Sequence, residues 1–215
     1  MITEVRDLFC NPKAIKIIRA KLPTLFYEAE KECERKGIVG MEVGLLREKI
    51  LATMFMSLLG EIVSVDISAT EPETDILVSE KNLAVRTFKN GDKVKVGWTA
   101  DYDLAKYFIS TYKPKADILF AYVKWDGDNT LALAPTGRGL YHIPLESAID
   151  IRSELGARYF KPPKKGKNGR GVEYTKNAVE LLMNHLSTTY LEIDWIRPTY
   201  AHDGYQRWLD RWESE

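Results

Sequence analysis

The sequence predicts an α/β (mixed α+β) domain built on a central mixed β-sheet flanked by helices. Three observations carry that expectation. Residues 12–59 read as helical, with apolar side chains recurring three and four apart. Residues 61–98 then break into short β-branched segments separated by turn residues. From residue 101 onward helical and extended segments alternate.

The first helical stretch covers residues 12–36. Asn11 is a capping residue, Pro12 occupies the favoured first position, and Ile15, Ile17, Ile18, Leu22, Leu25 and Phe26 recur at helical spacing. Pro23 removes a donor in mid-stretch and predicts a break or kink into two helices. Gly37 and Gly40 punctuate, and a second helix runs from about 42 to 59, where Gly60 stops it. Leu45, Leu46, Ile50, Leu51, Met54, Phe55, Leu58 and Leu59 give it a broad apolar face. The strands expected next are EIVSVDI, DILV, LAVRTF and KVKVGW, a meander in which SEKN turns between the second and third. A short helix follows at 101–112, then strands ADILFAYVKW, TLALAPT and GLYHIPL, then a helix over 173–188. The tail from Tyr190 is rich in tryptophan and gives no clear secondary-structure signal.

The chain of 215 residues is long enough for one domain with a full core. No apolar run approaches the ~20 residues that cross a bilayer, and the N-terminus lacks the pattern of a secretory signal. Cys10 and Cys33 are too few for a disulfide framework or a cysteine-based zinc site, so a reducing cytoplasm is the expected setting. His142, His185 and His202 show no paired metal spacing, and neither a glycine-rich phosphate loop nor a serine-centred elbow occurs. Those enzyme classes are set aside.

Lysine plus arginine balance aspartate plus glutamate at 31 each, so local clustering decides what a polyanion would meet. KPPKKGKNGR, residues 161–170, holds five cations and no acid; EPETD, residues 71–75, holds three acids and no base. An acidic knot and a basic loop are what a metal-using enzyme on a phosphate substrate needs, and equally what two unrelated surface loops look like.

Metal-assisted phosphodiester hydrolysis needs carboxylates to hold a hard cation and a positive group to steady the crowded phosphate charge. Asp75 opens the strand DILV, and LAVRTFK ends at Lys89. If the hairpin loop is Glu80, Lys81 and Asn82, then Asp75 lies opposite Thr87, and Asp75, Thr87 and Lys89 project from one face. A two- or four-residue loop instead puts Arg86 beside Asp75, as a substitute cation. Glu48 is the third candidate. At about 100° per residue it falls between Phe55 and Leu59, inside the apolar face, where a carboxylate is costly unless paired or bound to a cation. Glu71 and Glu73 read as solvated loop acids, either of them a possible extra ligand.

The stretch GLLREKILATMFMSLLGEIVSVDISATEPETDILVSEKNLAVRTFK resembles the core signature of the PD-(D/E)XK nucleases. In that superfamily a helix bearing a glutamate leads into strands that present an aspartate, then an acid or amide two residues before a lysine. The resemblance covers roughly residues 42–146. It implies Glu48 as the helix glutamate, Asp75 as the metal-binding aspartate and Lys89 as the catalytic lysine. Magnesium would be held by Glu48, Asp75 and a backbone carbonyl near Phe88. Thr87 stands where the second acid is usual, and Thr74, not proline, precedes Asp75.

Small type II restriction endonucleases are the members it is most similar to. That implies a restriction-endonuclease-like core and one nuclease domain over 1–215. Residues 1–41 would form N-terminal helices, and residues 147–215 would contact DNA or dimerise. It also implies double-stranded DNA as substrate, a short palindrome as target, and a homodimer. A homing or repair nuclease of the same fold, or a non-catalytic DNA-binding derivative, is the alternative. Met41, seven residues before Glu48, is a candidate wedge between base steps or else a packing residue. Arg86, Lys164, Lys165, Lys167 and Arg170 are the candidate phosphate contacts, the loop cations doubling as an ordinary solvated surface. Tyr200, Tyr205, Trp208 and Trp212 either stack on bases or pack the tail.

Overall fold

A computed structural model of the chain describes residues 1–37, 41–67, 73–89, 94–99, 101–127, 137–161 and 171–199. Its centre is a six-stranded mixed sheet in the order β1-β2-β3-β5-β6-β9, with a separate three-stranded sheet β4-β8-β7. The strands are β1 (Val63–Ser64), β2 (Ile76–Val78), β3 (Lys81–Phe88), β4 (Lys95–Trp98), β5 (Asp117–Tyr122), β6 (Gly139–Ile143), β7 (Phe160–Lys161), β8 (Gly171–Tyr174) and β9 (Thr189–Glu192). Helices are α1 (Thr3–Cys10), α2 (Pro12–Arg35), α3 (Met41–Leu59), α4 (Tyr102–Thr111), α5 (Leu145–Leu155) and α6 (Lys176–Asn184). The expected mixed sheet flanked by helices is therefore what the chain forms. No helix among the described residues is long and apolar enough to cross a membrane.

Strand alternation sorts the core into two layers. Leu83 and Val85 of β3, with Leu119 and Ala121 of β5, pack against Ile18, Leu22, Phe26, Leu51 and Phe55 of α2 and α3. Phe88 of β3, with Ile118, Phe120 and Tyr122 of β5, packs against the small sheet and α4 to α6. Odd residues of β3 thus face the N-terminal helices, and even residues face the opposite layer.

Several sequence expectations are corrected. Pro23 does not divide α2, which runs unbroken from Pro12 to Arg35 with Pro23 buried. Ile18, Leu22, Phe26, Ala29 and Cys33 are buried along the same helix, and that packing outweighs one lost backbone hydrogen bond. The apolar face of α3 is narrower than its composition suggests, since Leu51 and Phe55 are fully buried but Leu45 is 53% exposed. The meander ends at β3, which pairs in parallel with β5; KVKVGW contributes β4 to the small sheet instead. Within 173–188 the first residues, Glu173 and Tyr174, belong to β8, and the helix begins at Lys176 behind a Thr175 cap. Helices α1 and α5 and strand β9 had no clear signal. The segment TLALAPT lies outside the described residues.

Candidate active site

The β2–β3 hairpin positions Asp75, and its register decides the site. Val78 pairs with Lys81 and Ile76 with Leu83, so the connecting loop is the two residues Ser79 and Glu80. Both have positive φ, 49° and 63°, as a tight hairpin turn with right-handed strand twist requires. Neither is a residue that favours this backbone. The Ser79 hydroxyl donates to Glu4 Oε1 of α1 at 2.7 Å, and its N–H donates to Ile62 O at 2.8 Å, so tertiary contacts hold the turn.

The three-residue loop is therefore not the one used, and Arg86, not Thr87, shares the face of Asp75. Strand β2 begins only at Ile76, and the Asp75 side chain continues the ladder in its place. Asp75 N–H donates to Leu83 O at 3.1 Å, and Val85 N–H donates to Asp75 Oδ2 at 2.7 Å. The Arg86 guanidinium donates to the same Oδ2 at 2.5 Å and to Val85 O at 2.6 Å, while its other nitrogen lies 3.4 Å from Val96 O of β4. Burial works against the Arg86 charge, but Asp75, Tyr174 and Glu48 together hold its pKa above the ordinary value.

Glu48 lies on α3, half-buried, where the charges of both Asp75 and Arg86 act on it. Burial first, then the Asp75 carboxylate, push its pKa up to about 7, with Arg86 opposing. Glu48, Asp75 and Arg86 are thus one electrostatic unit at the open end of β2. Glu73, expected as a solvated acid, is half-buried and bonded to the Tyr112 hydroxyl, and burial raises its pKa. Glu71 lies outside the described residues.

The structure separates the other candidates from this unit. Lys89 Nζ is 3.3 Å from Glu30 Oε1 of α2, on the layer opposite Arg86. The Phe88 carbonyl accepts from Val123 N–H at 2.9 Å, on the β5 side of β3. Its ring stacks on Tyr122 at 5.5 Å, so Phe88 is a core residue and does not offer an oxygen to Asp75. The carbonyl turned toward Asp75 is that of Val85. The Thr87 hydroxyl is buried toward α3, without a hydrogen-bond partner among the described residues. Met41 begins α3, two turns ahead of Glu48, with its side chain outside the described residues. Lys164, Lys165, Lys167 and Arg170, the tail aromatics and His202 also lie outside them. His142 is fully buried and bonded to Asp117 at 2.8 Å, an internal pair of the sheet.

Sequence reasoning missed the cluster around Glu30. Glu30 Oε1 accepts from the buried Arg47 of α3 and from Trp125 Nε1, the latter at 2.8 Å. The only hint was Arg47 itself, an arginine among the apolar residues of an otherwise core-facing helix.

Among the described residues no three acids, histidines or cysteines converge on a common point. The available donors are Glu48, Asp75 and the Val85 carbonyl. Hard oxygen donors of this kind suit a divalent cation such as magnesium, whose charge would offset the burial and the Asp75 carboxylate that raise the Glu48 pKa. The residues present fit the metal.

The chain's residues 8–215 match the family model described as restriction endonuclease ThaI. A solved structure of a restriction endonuclease in complex with substrate DNA is similar over 97% of this chain and 98% of its own, with 33% identity and a TM-score of 0.82. No curated protein matches the chain. On the family match and that likeness together, this chain belongs to the ThaI restriction endonuclease family.

Proposed function

We propose that the protein is a type II restriction endonuclease that cuts both strands of a short palindromic DNA site, as a homodimer and with magnesium. The observation that carries this reading is the Glu48–Asp75–Arg86 unit in a member of this family. The similar solved restriction endonuclease holds substrate DNA, which supports double-stranded DNA as the substrate here.

Glu48 and Asp75 would hold the magnesium, with the Val85 carbonyl as a third oxygen. The bound metal supplies Lewis acidity and a more acidic water. Arg86 takes the part that the resemblance assigns to a lysine. A guanidinium does not deprotonate water at neutral pH, so Arg86 stabilises charge on the phosphate oxygens and leaves the water's proton to another acceptor. Its rigid fork allows one nitrogen to stay on Asp75 while the other meets the phosphate. Symmetry of a dimer matches a palindrome as paired half-sites do, and Met41 remains the candidate wedge beside the site.

The test is digestion of a fully sequenced plasmid with magnesium, followed by reading the fragment ends. Discrete fragments with one recurring sequence at every end are expected. Random degradation, or no cutting across several plasmids, would overturn the reading.

A further inference from the structure

The lysine that the sequence motif singles out has a different environment from the catalytic unit. Glu30 Oε1 accepts from the Arg47 guanidinium and from Trp125 Nε1 at 2.8 Å, and forms an ion pair with Lys89 Nζ at 3.3 Å. Arg47 is 4% exposed and stacks over the Phe26 ring at 5.6 Å from its centroid. A guanidinium at that depth requires a counter-ion, and Glu30 is the carboxylate that supplies it. Glu30, Arg47 and Lys89 together carry one net positive charge. Lys89, with 43% of its side chain exposed, is where that surplus meets solvent.

The position matters as much as the charge. Lys89 follows β3 directly, three residues beyond Arg86. Three residues of extended chain span about 10 Å, the length of duplex axis over which one strand presents about three phosphates. We propose that Lys89 is a phosphate-binding residue of the DNA interface, poised by Glu30 for the backbone flanking the cleaved bond, and is not the cation of the catalytic centre. The proposal rests on the DNA-cleaving reading above. Glu30 keeps Lys89 directed from the α2 side without neutralising the cluster, because its charge is already matched by Arg47. A phosphate arriving at Lys89 replaces a shared, long ion pair with a full one.

The experiment measures binding and chemistry separately on wild type, Lys89→Ala, Lys89→Arg and Arg86→Ala. Binding is followed by fluorescence anisotropy of a labelled random-sequence duplex of roughly 30 bp, metal-free in EDTA, between about 50 and 200 mM salt. Lys89→Ala should weaken binding on the order of tenfold and make the slope of log K against log salt shallower by about 0.9. Lys89→Arg should restore both. In single-turnover cleavage of a plasmid at saturating enzyme, the rate constant should fall at most a few-fold for Lys89→Ala, against about a hundredfold for Arg86→Ala. Unchanged affinity and salt slope in Lys89→Ala would overturn the proposal, as would a collapsed rate constant with affinity intact. Either result leaves the nuclease reading standing if the wild type cleaves the plasmid and Arg86→Ala does so about a hundredfold more slowly. A wild type that binds no duplex would instead remove the DNA reading itself, and this proposal with it.

Discussion

Asp75 Oδ2 is shared between the main-chain N–H of Val85 at 2.7 Å and the guanidinium of Arg86 at 2.5 Å. The first contact ties the carboxylate to the sheet, and the second gives the site its cation. If Arg86 steadies the phosphate charge, Arg86→Ala should lower the single-turnover cleavage rate about 100- to 1,000-fold, the size of losing one preorganised donor. Arg86→Lys should recover part of that loss, because it keeps the charge but not the fork. Cleavage by Arg86→Ala at the wild-type rate would exclude the arginine from the chemistry.

Asp75→Asn tests the proposed metal site. An amide oxygen still accepts from Val85 N–H, so the end of β2 keeps its tether. The charge that attracts a hard cation is gone. Added magnesium should raise the thermal midpoint of the wild type and leave that of Asp75→Asn unmoved, with duplex binding in EDTA retained. A magnesium shift of equal size in both proteins would place the metal elsewhere.

How much of this was legible in the sequence turns on the range of the contact involved. Helix α3 and the strands ILV and LAVRTF announce themselves by local periodicity, and Glu48 stood out as an acid on an apolar face. Asp75 was found because strand-opening acids are a local feature. The register of the hairpin was not legible, since Ser79 and Glu80 adopt positive φ at the direction of Glu4, 75 residues away. That contact, with the Ser79 N–H bond to Ile62 O, holds the turn whose register puts Arg86 and not Thr87 beside Asp75. The same holds for Lys89, whose partner Glu30 lies on a helix that no motif connects to it. Strand β4 read correctly as extended, but nothing local says which sheet receives it.

Glu48 should make stability depend on pH. Its folded pKa of about 7 lies above the ordinary 4.5, so the folded protein binds this proton more tightly than the unfolded chain. The associated stability is complete below about 4.5 and is lost as pH rises toward and through 7. Glu48→Gln removes that fall. In metal-free buffer the variant should be the more stable of the two at pH 8, by about 1 kcal/mol after allowing for solvent screening, and should show no advantage at pH 4. Urea melts at both pH values measure it, and parallel pH profiles for the two proteins would contradict the assigned environment.

Gly139 opens β6, where φ is 155° and a Cβ would fall 2.1 Å from the carbonyl oxygen of Leu191 in β9. Glu192 Cα and Ile193 N lie close as well, at 3.1 Å, and all three obstacles are backbone, so none can move aside like a flexible side chain. Gly139→Ala should lower stability by about 2 kcal/mol or more by forcing β9 away from β6. Hydrogen exchange should locate the damage in β9, which stands at the edge of the sheet beside β6. An unchanged melting temperature would mean that the two strands are not packed this closely.

The buried Glu30–Arg47 pair can be tested by charge alone. Glu30→Gln keeps an acceptor oxygen for Trp125 Nε1 but leaves the Arg47 guanidinium, 4% exposed, without its counter-ion. Such a break costs about 3 kcal/mol. Arg47→Met removes the charge and retains apolar volume over Phe26, leaving Glu30 to Lys89, which is near enough to take over. That second change should cost less than the first. In the double variant neither charge is buried, so the cost of Glu30→Gln should largely disappear, giving a coupling on the order of 2 kcal/mol in a double-mutant cycle read by urea unfolding. Additive effects of the two changes would show that the pair contributes no interaction of its own, and that α3 is held against α2 by packing alone.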